Sequence, residues 1–187
     1  MSLIYVFLAD GFEDIEALAT VDIARRAGID VKTVSVMHHS TVVSSHGVSM
    51  EADIMCEDMD IDQGDMIMLP GGLPGAETLT SHPAVKDAIM DYATKGKFLA
   101  AICAAPMVFG LLGILRGINV TCYPGFEKYL THAKYTAAQV EVDGCFITGN
   151  GPGACIPFAL QLVKALKGET VAKQIAAEMQ VEWLSNY

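Results

Sequence analysis

The chain has 187 residues, enough for one hydrophobic core and short for two. Its 52% hydrophobic and 18% charged residues describe a chain that folds compactly, not a disordered one. A formal net charge of −10 argues against a nucleic-acid partner and an anionic membrane surface, leaving a small molecule or another protein. The five cysteines (Cys56, Cys103, Cys122, Cys145, Cys155) form no C-x-x-C and no metal-ligand spacing, so neither a metal nor a disulfide framework is expected. With no basic n-region or cleavage pattern at Met1-Ser2-Leu3-Ile4, the expected location is a reducing cytoplasm.

In chain order, Leu3 to Leu8 is a continuous apolar run, the pattern of a strand covered on both faces. Ala9-Asp10-Gly11-Phe12 interrupts it, and Glu13-Asp14 are suited to the first turn of a helix reaching Arg25-Arg26-Ala27. Gly28 ends that helix and Val31 to Val36 is a second strand, giving a β-α-β opening. His38 to Glu51 reads as a surface loop or a small β excursion. Seven acids then lie between Glu51 and Asp65. Their spacing fails as a calcium loop, because Gly64 comes one position late and Leu69 stands where the bidentate Glu belongs.

Met66 to Leu69 is a third strand, followed by Pro70-Gly71-Gly72. Two glycines there let the backbone approach a ligand and present free N–H groups. No G-K-[ST] or G-x-G-x-x-G accompanies them, so no nucleotide cofactor is expected. Ser81 reads as the N-cap of a helix running to about Lys95, with Gly96 as its stop. The strand Phe98 to Ile102 then runs into Cys103-Ala104-Ala105-Pro106, the pattern of a sharp strand-to-helix turn. A cysteine at such a nucleophile elbow lies at a helix N-terminus, where the dipole favours its thiolate; the alternative is a buried structural thiol. Phe98 to Leu115 carries no charge over 18 residues, the lower edge of a membrane span, but Pro106, Gly110 and Gly113 break it. Ile118 to Cys122 is another strand. Gln139 to Val142 and Cys145 to Thr148 flank Asp143-Gly144 as a hairpin. Asn150-Gly151-Pro152-Gly153 opens a helix to Leu166, and a last helix spans about Thr170 to Gln180.

This order predicts one α/β domain over 1–187, with a mostly parallel sheet between two helical layers. Ligands bind such sheets at the carboxyl ends of the strands, where Asp10-Gly11, Pro70-Gly71-Gly72 and Cys103 all fall. There, Cys103 is the candidate nucleophile and the N–H groups of Gly72 and Ala104 are candidate oxyanion donors. Helical spacing puts Glu13 and Glu16 on nearly one face, with Asp14 turned away; an acid in an apolar cleft would have a raised pKa. The alternative is that all three are solvated first-turn acids. None of His38, His39, His46, His82 and His132 follows a predicted strand end, so a Cys-His dyad is not indicated.

The stretches Ala9-Asp10-Gly11-Phe12-Glu13-Asp14-Ile15-Glu16, Leu69-Pro70-Gly71-Gly72, Ala100 to Pro106 and Gly151-Pro152-Gly153 stand in an order and spacing that resembles the ThiJ/PfpI superfamily. Within it, the chain is most similar to the DJ-one/ThiJ branch, class I glutamine amidotransferase-like. The resemblance implies a flavodoxin-like three-layer α/β/α sandwich with a nucleophile elbow, usually a homodimer. It implies that Cys103 is the reactive, oxidation-prone cysteine, Glu16 its protonated acid partner, and Gly72 and Ala104 the backbone donors. Gly71, Tyr123 and His46 line the site on the same basis. The activities implied are glyoxalase or deglycase chemistry on carbonyls such as methylglyoxal, with redox-sensing or chaperone-like stress roles and peptidase activity as alternatives. Three departures bear on these. Ala104 stands where the peptidase branch has His, Tyr123 where several members place a cleft histidine, and Ser45-His46 where a Ser-Arg pair is common.

Overall fold

The computed structural model describes residues 2–182, so the single-domain expectation over 1–187 extends to residue 1 and residues 183–187, outside the described residues. The strands are β1 (Leu3–Leu8), β2 (Asp30–Ser35), β3 (Thr41–Val43), β4 (Ser49–Glu51), β5 (Ile54–Met55), β6 (Met66–Leu69), β7 (Phe98–Ile102), β8 (Asn119–Val120), β9 (Lys134–Tyr135), β10 (Val140–Asp143) and β11 (Phe146–Gly149). The helices are α1 (Asp14–Arg26), α2 (Gly75–Ser81), α3 (Pro83–Lys95), α4 (Pro106–Leu111), α5 (Cys155–Lys167) and α6 (Glu169–Glu178).

Seven strands form one sheet in the order β10-β11-β7-β6-β1-β2-β5. All neighbours are parallel except β10, which pairs antiparallel with β11 at the edge. The inner strands read as unbroken apolar runs because both faces are covered and successive side chains alternate between them. Ile4, Val6, Leu8, Met66, Met68 and Ala100 pack against Ala17 and Val21 of α1 and Phe158 and Leu162 of α5. Their neighbours Tyr5, Phe7, Ile67, Leu69 and Leu99 face Val85, Ile89 and Tyr92 of α3 and Val108 and Phe109 of α4. Each large side chain so enclosed contributes about 1.5–3 kcal/mol. The result is a flavodoxin-like sandwich of two helical layers around a mostly parallel sheet.

Several local expectations differ from the structure. Ser81 is the last residue of α2, not an N-cap; His82 precedes α3, and the Ser81 hydroxyl donates back to Thr78 O at 3.0 Å. The β10–β11 register pairs Asp143 with Phe146, so the two turn residues are Gly144-Cys145, one position later than Asp143-Gly144. The strand expected over Ile118 to Cys122 shortens to β8, which leaves the main sheet and pairs with β9. Phe98 to Leu115 divides into β7, a three-residue turn, the short α4 and a second turn over 112–115. No helix among the described residues is long and apolar enough to cross a membrane.

β1, β6, β7 and β11 are consecutive parallel neighbours, so their carboxyl ends share one edge of the sheet. The segments Ala9-Asp10-Gly11-Phe12-Glu13, Pro70-Gly71-Gly72, Cys103-Ala104-Ala105 and Asn150-Gly151 leave from that edge.

Candidate active site

Cys103 is the first residue beyond β7, and its φ of 63° lies in the left-handed region, where a non-glycine residue costs ~1–3 kcal/mol. Two backbone hydrogen bonds hold it there. Cys103 N–H donates to Gly149 O at 2.9 Å, and Tyr123 N–H donates to Cys103 O at 2.8 Å. This is a nucleophile elbow, clamped between β11 and the loop after β8. It is not at a helix N-terminus, however: α4 begins three residues later and spans six residues. Instead, single backbone donors polarise the sulfur, namely the N–H groups of Ala104 and Gly72.

Glu16, in the first turn of α1, has a fully buried side chain. Gly71 N–H donates to its Oε2 at 2.8 Å, and the same carboxyl hydrogen-bonds the Cys103 side chain. Its Oε1 is buried without a partner of conventional geometry. Burial pushes this acid up to about 7; the Gly71 and Cys103 hydrogen bonds oppose the rise and the charge of Glu13 adds to it. Cys103 is also pushed up, to about 12, by burial and then by the charge and hydrogen bond of Glu16, against the N–H groups of Ala104 and Gly72. The direction is opposite to that expected from a helix dipole, because the dominant neighbour is a carboxylate in a dry site. Between those two values the pair therefore shares one proton and carries one negative charge. When the carboxyl holds the proton it becomes a donor to sulfur, and both backbone N–H groups then favour the thiolate.

Glycine is required at both positions beyond β6. A Cβ on Gly71 would lie 2.6 Å from Cys103 Cβ and 2.9 Å from Glu16 Oε2. Gly72 has φ +83°, and a Cβ there would meet Gly11 O at 2.3 Å. Gly71 also accepts from Glu13 N–H at 2.9 Å, so the start of α1 and the end of β6 are fixed to each other on both sides of the acid.

Glu13 and Asp14 do not face bulk solvent, and Asp14 is turned toward the β3–β4 turn. Asp14 accepts from Ser44 Oγ and pairs with His46 Nδ1 at 2.7 Å; Ser45 Oγ donates to Glu13 Oε2 at 3.2 Å. Burial opposes it, but Ser44 and His46 together hold Asp14 below the usual carboxylate range. The Asp14 hydrogen bond and then the charge of Glu13 raise His46. These three side chains place ligand atoms within 4.8 Å of one another and are the one group among the described residues able to hold a cation, but they already satisfy each other. His46 thus stands beside Glu13, one step removed from Glu16, with its ring exposed. Tyr123 is exposed; its backbone clamps the elbow, and its ring lies over Gly151. His82 precedes α3 and, among the described residues, is not bonded to Cys103. Two features escaped sequence reasoning. Gly71 N–H serves the acid rather than the sulfur, and Cys155, at the start of α5, feels the charge of Glu16. Only the position of Gly71 against the acid, one residue before Gly72, offered a signal.

A family model described as DJ-1/PfpI matches residues 2–165, most of the chain. The chain belongs to that family. It is 40% identical over 179 residues to the Parkinson disease protein 7 homolog of Danio rerio, covering 93% of this chain and 94% of that protein. With the DJ-1 homolog B of Arabidopsis thaliana it shares 39% identity over 174 residues, 92% of this chain but 40% of the plant protein; the chain thus spans less than half the length of that relative. A deglycase of Pyrococcus abyssi is 29% identical over 166 residues and covered to 99%. Among solved structures, oxidized Toxoplasma gondii DJ-1 superposes with a TM-score of 0.93 at 34% identity, covering 96% of this chain and 98% of that one. The DJ-1/PfpI membership agrees with the fold, the parallel sheet and the order of the motifs.

Proposed function

We propose that the protein is a cysteine-dependent enzyme acting on small reactive carbonyls, of the glyoxalase or deglycase type. The observation that carries this reading is the Cys103–Glu16 pair, a thiol on an elbow beside a buried acid that titrates near neutrality. An acid poised there can both give and take a proton, as a carbonyl isomerisation requires. With methylglyoxal, the sulfur adds to the aldehyde carbon and Glu16 protonates the resulting alkoxide, giving a hemithioacetal. The Glu16 carboxylate then removes the hydrogen from that carbon and delivers a proton to the neighbouring one, while the hydroxyl proton passes to the former ketone oxygen, leaving a thioester. Water cleaves the thioester to lactate and restores the thiol, so ketoaldehyde plus water becomes hydroxy acid with no oxidant. The N–H groups of Gly72 and Ala104 stabilise the oxygen that gains charge. The deglycase of Pyrococcus abyssi supports the same class.

The purified protein is expected to convert methylglyoxal to lactate, and Cys103→Ser and Glu16→Gln are each expected to abolish it. Unchanged turnover in the serine variant overturns the reading. A peptidase is disfavoured: Ala104 follows the cysteine, and no histidine is bonded to Cys103 among the described residues.

A second reading, a redox-responsive stress protein, is favoured by the buried Glu16 carboxyl, which hydrogen-bonds the Cys103 side chain and keeps an unpartnered Oε1. Peroxide would oxidise Cys103 to a sulfinate, and protonated Glu16 would donate to one of its oxygens. Intact mass after mild peroxide should show two oxygens added at Cys103; oxygen spread over all five cysteines counts against it. Either role suits a reducing cytoplasm. Either also suits a homodimer, supported by an apolar groove in which Ile15 and Leu18 of α1, exposed by 50% and 44%, lie beside Ile156 and Met179.

A further inference from the structure

A second concavity lies on the opposite helical layer from that groove, close to the elbow but outside the chemistry just described. It has a volume of about 300 Å³. Its apolar walls are Met107 and Leu111 of α4 together with Phe126 and Tyr129. The rings of Phe126 and Tyr129 pack 6.0 Å apart at 44°. The wall is held in place by backbone: α4 has no side chain at Gly110, where a Cβ would strike Tyr129 O at 2.1 Å, and Thr131 Oγ1 donates to Gly110 O at 2.8 Å. Leu111 remains exposed by 53% at the end of α4, with nothing covering it among the described residues.

Also lining it are Thr80, Gly125 and two charged side chains, Glu77 of α2 and Lys128. Among the described residues neither has an ion-pair partner; the ammonium of Lys128 lies 5.0 Å from the Tyr129 ring centroid. An exposed anion and an exposed cation at an aromatic and aliphatic cavity match a zwitterion that carries an apolar side chain. The volume lies at the lower end of the usual range for ligand pockets, about 300–1,000 Å³, and suits a ligand of amino-acid size. The cavity also adjoins the elbow by two routes. Met107 and Ala76 form an apolar cluster with Ala104, whose N–H faces the Cys103 sulfur. Gly125 lies two residues beyond Tyr123, whose N–H holds Cys103 O.

We propose that this cavity binds a free α-amino acid with a large apolar side chain. Its ammonium pairs with Glu77, its carboxylate pairs with Lys128, and its side chain lies among Met107, Leu111, Phe126 and Tyr129. Binding is independent of the Cys103 chemistry, so failure of the carbonyl reading leaves it standing, and the reverse holds too.

Calorimetric titration of the full chain with L-phenylalanine tests it, at ligand concentrations up to about 10 mM. The expected result is saturable one-site binding that weakens at least tenfold for 3-phenylpropionate, which lacks the ammonium, and for phenethylamine, which lacks the carboxylate. Glycine, without the side chain, should not saturate. Glu77→Gln and Lys128→Gln, checked for folding by circular dichroism, should each weaken phenylalanine at least tenfold. In methyl-labelled protein the Met107 methyl resonance should shift with the same midpoint. No saturable binding, equal affinity for the truncated ligands, unaltered affinity in both variants, or a Met107 methyl that does not move each overturns the proposal.

Discussion

Glu16 makes folding depend on pH in a direction unusual for a carboxylate. Its carboxyl titrates at an ordinary 4.5 when unfolded and at about 7 when folded, so the folded chain binds that proton more tightly. Stability from this group is therefore fully present below the unfolded value and is lost as pH rises through the folded one. At 1.36 kcal/mol per unit the loss is roughly 3 kcal/mol above neutrality. Glu16→Gln keeps an acceptor for Gly71 N–H and removes the penalty. It is expected to be inactive, yet more stable than the parent in urea at about pH 8 and little different at about pH 4.5. A variant destabilised equally at both pH values would contradict that origin. At this scale, Cys103 and Glu16 were legible as members of two short motifs. The direction of the thiol's shift was not, because it depends on where α4 begins and on how dry the site is, and neither is written in local residue types.

The β3–β4 turn is latched to the start of α1 by Ser44, Ser45 and His46, and the latch also titrates. Bonding to Asp14 and the charge of Glu13 raise His46 above its ordinary value, so its contribution is complete below that value and lost as pH rises through the raised one. Hydrogen exchange at the amides of Ser44, His46 and Val48 should quicken beyond the intrinsic pH effect over that window, and His46→Ala should make it fast throughout. Exchange indifferent to His46→Ala would show that the turn is held by its backbone alone. Elements with long apolar runs, β1, β6 and β7, were readable; α2, β5 and β9 were not. α2 opens on Gly75 and holds Thr78, Thr80 and Ser81, with weak helical preference, and forms because Ala76 and Leu79 are buried. β5 and β9 are two residues each, too short for any period to show, and exist only through their partners.

For the whole molecule, the β-α-β opening and the alternation that follows made the sandwich legible, because right-handed crossovers leave few alternatives. Strand order was not, since the pairing of β6 with β1, on the side of β1 away from β2, is decided by packing. Leu18→Glu should convert a dimer to monomer in light scattering, since it sets a charge in the apolar groove of α1; a monomeric parent would remove the dimer from the reading. The hydrogen bond from Gly71 to Glu16 joins residues 55 positions apart, and the elbow's anchor on Gly149 comes later still in the chain. The acid, the sulfur and their donors thus meet only after β1, β6, β7 and β11 have aligned, a set of non-local pairings that forms slowly. A growing chain on the ribosome therefore carries Cys103 as an ordinary thiol until β11 has emerged. Its reactivity toward a thiol-labelling reagent becomes a clock for completion of the sheet.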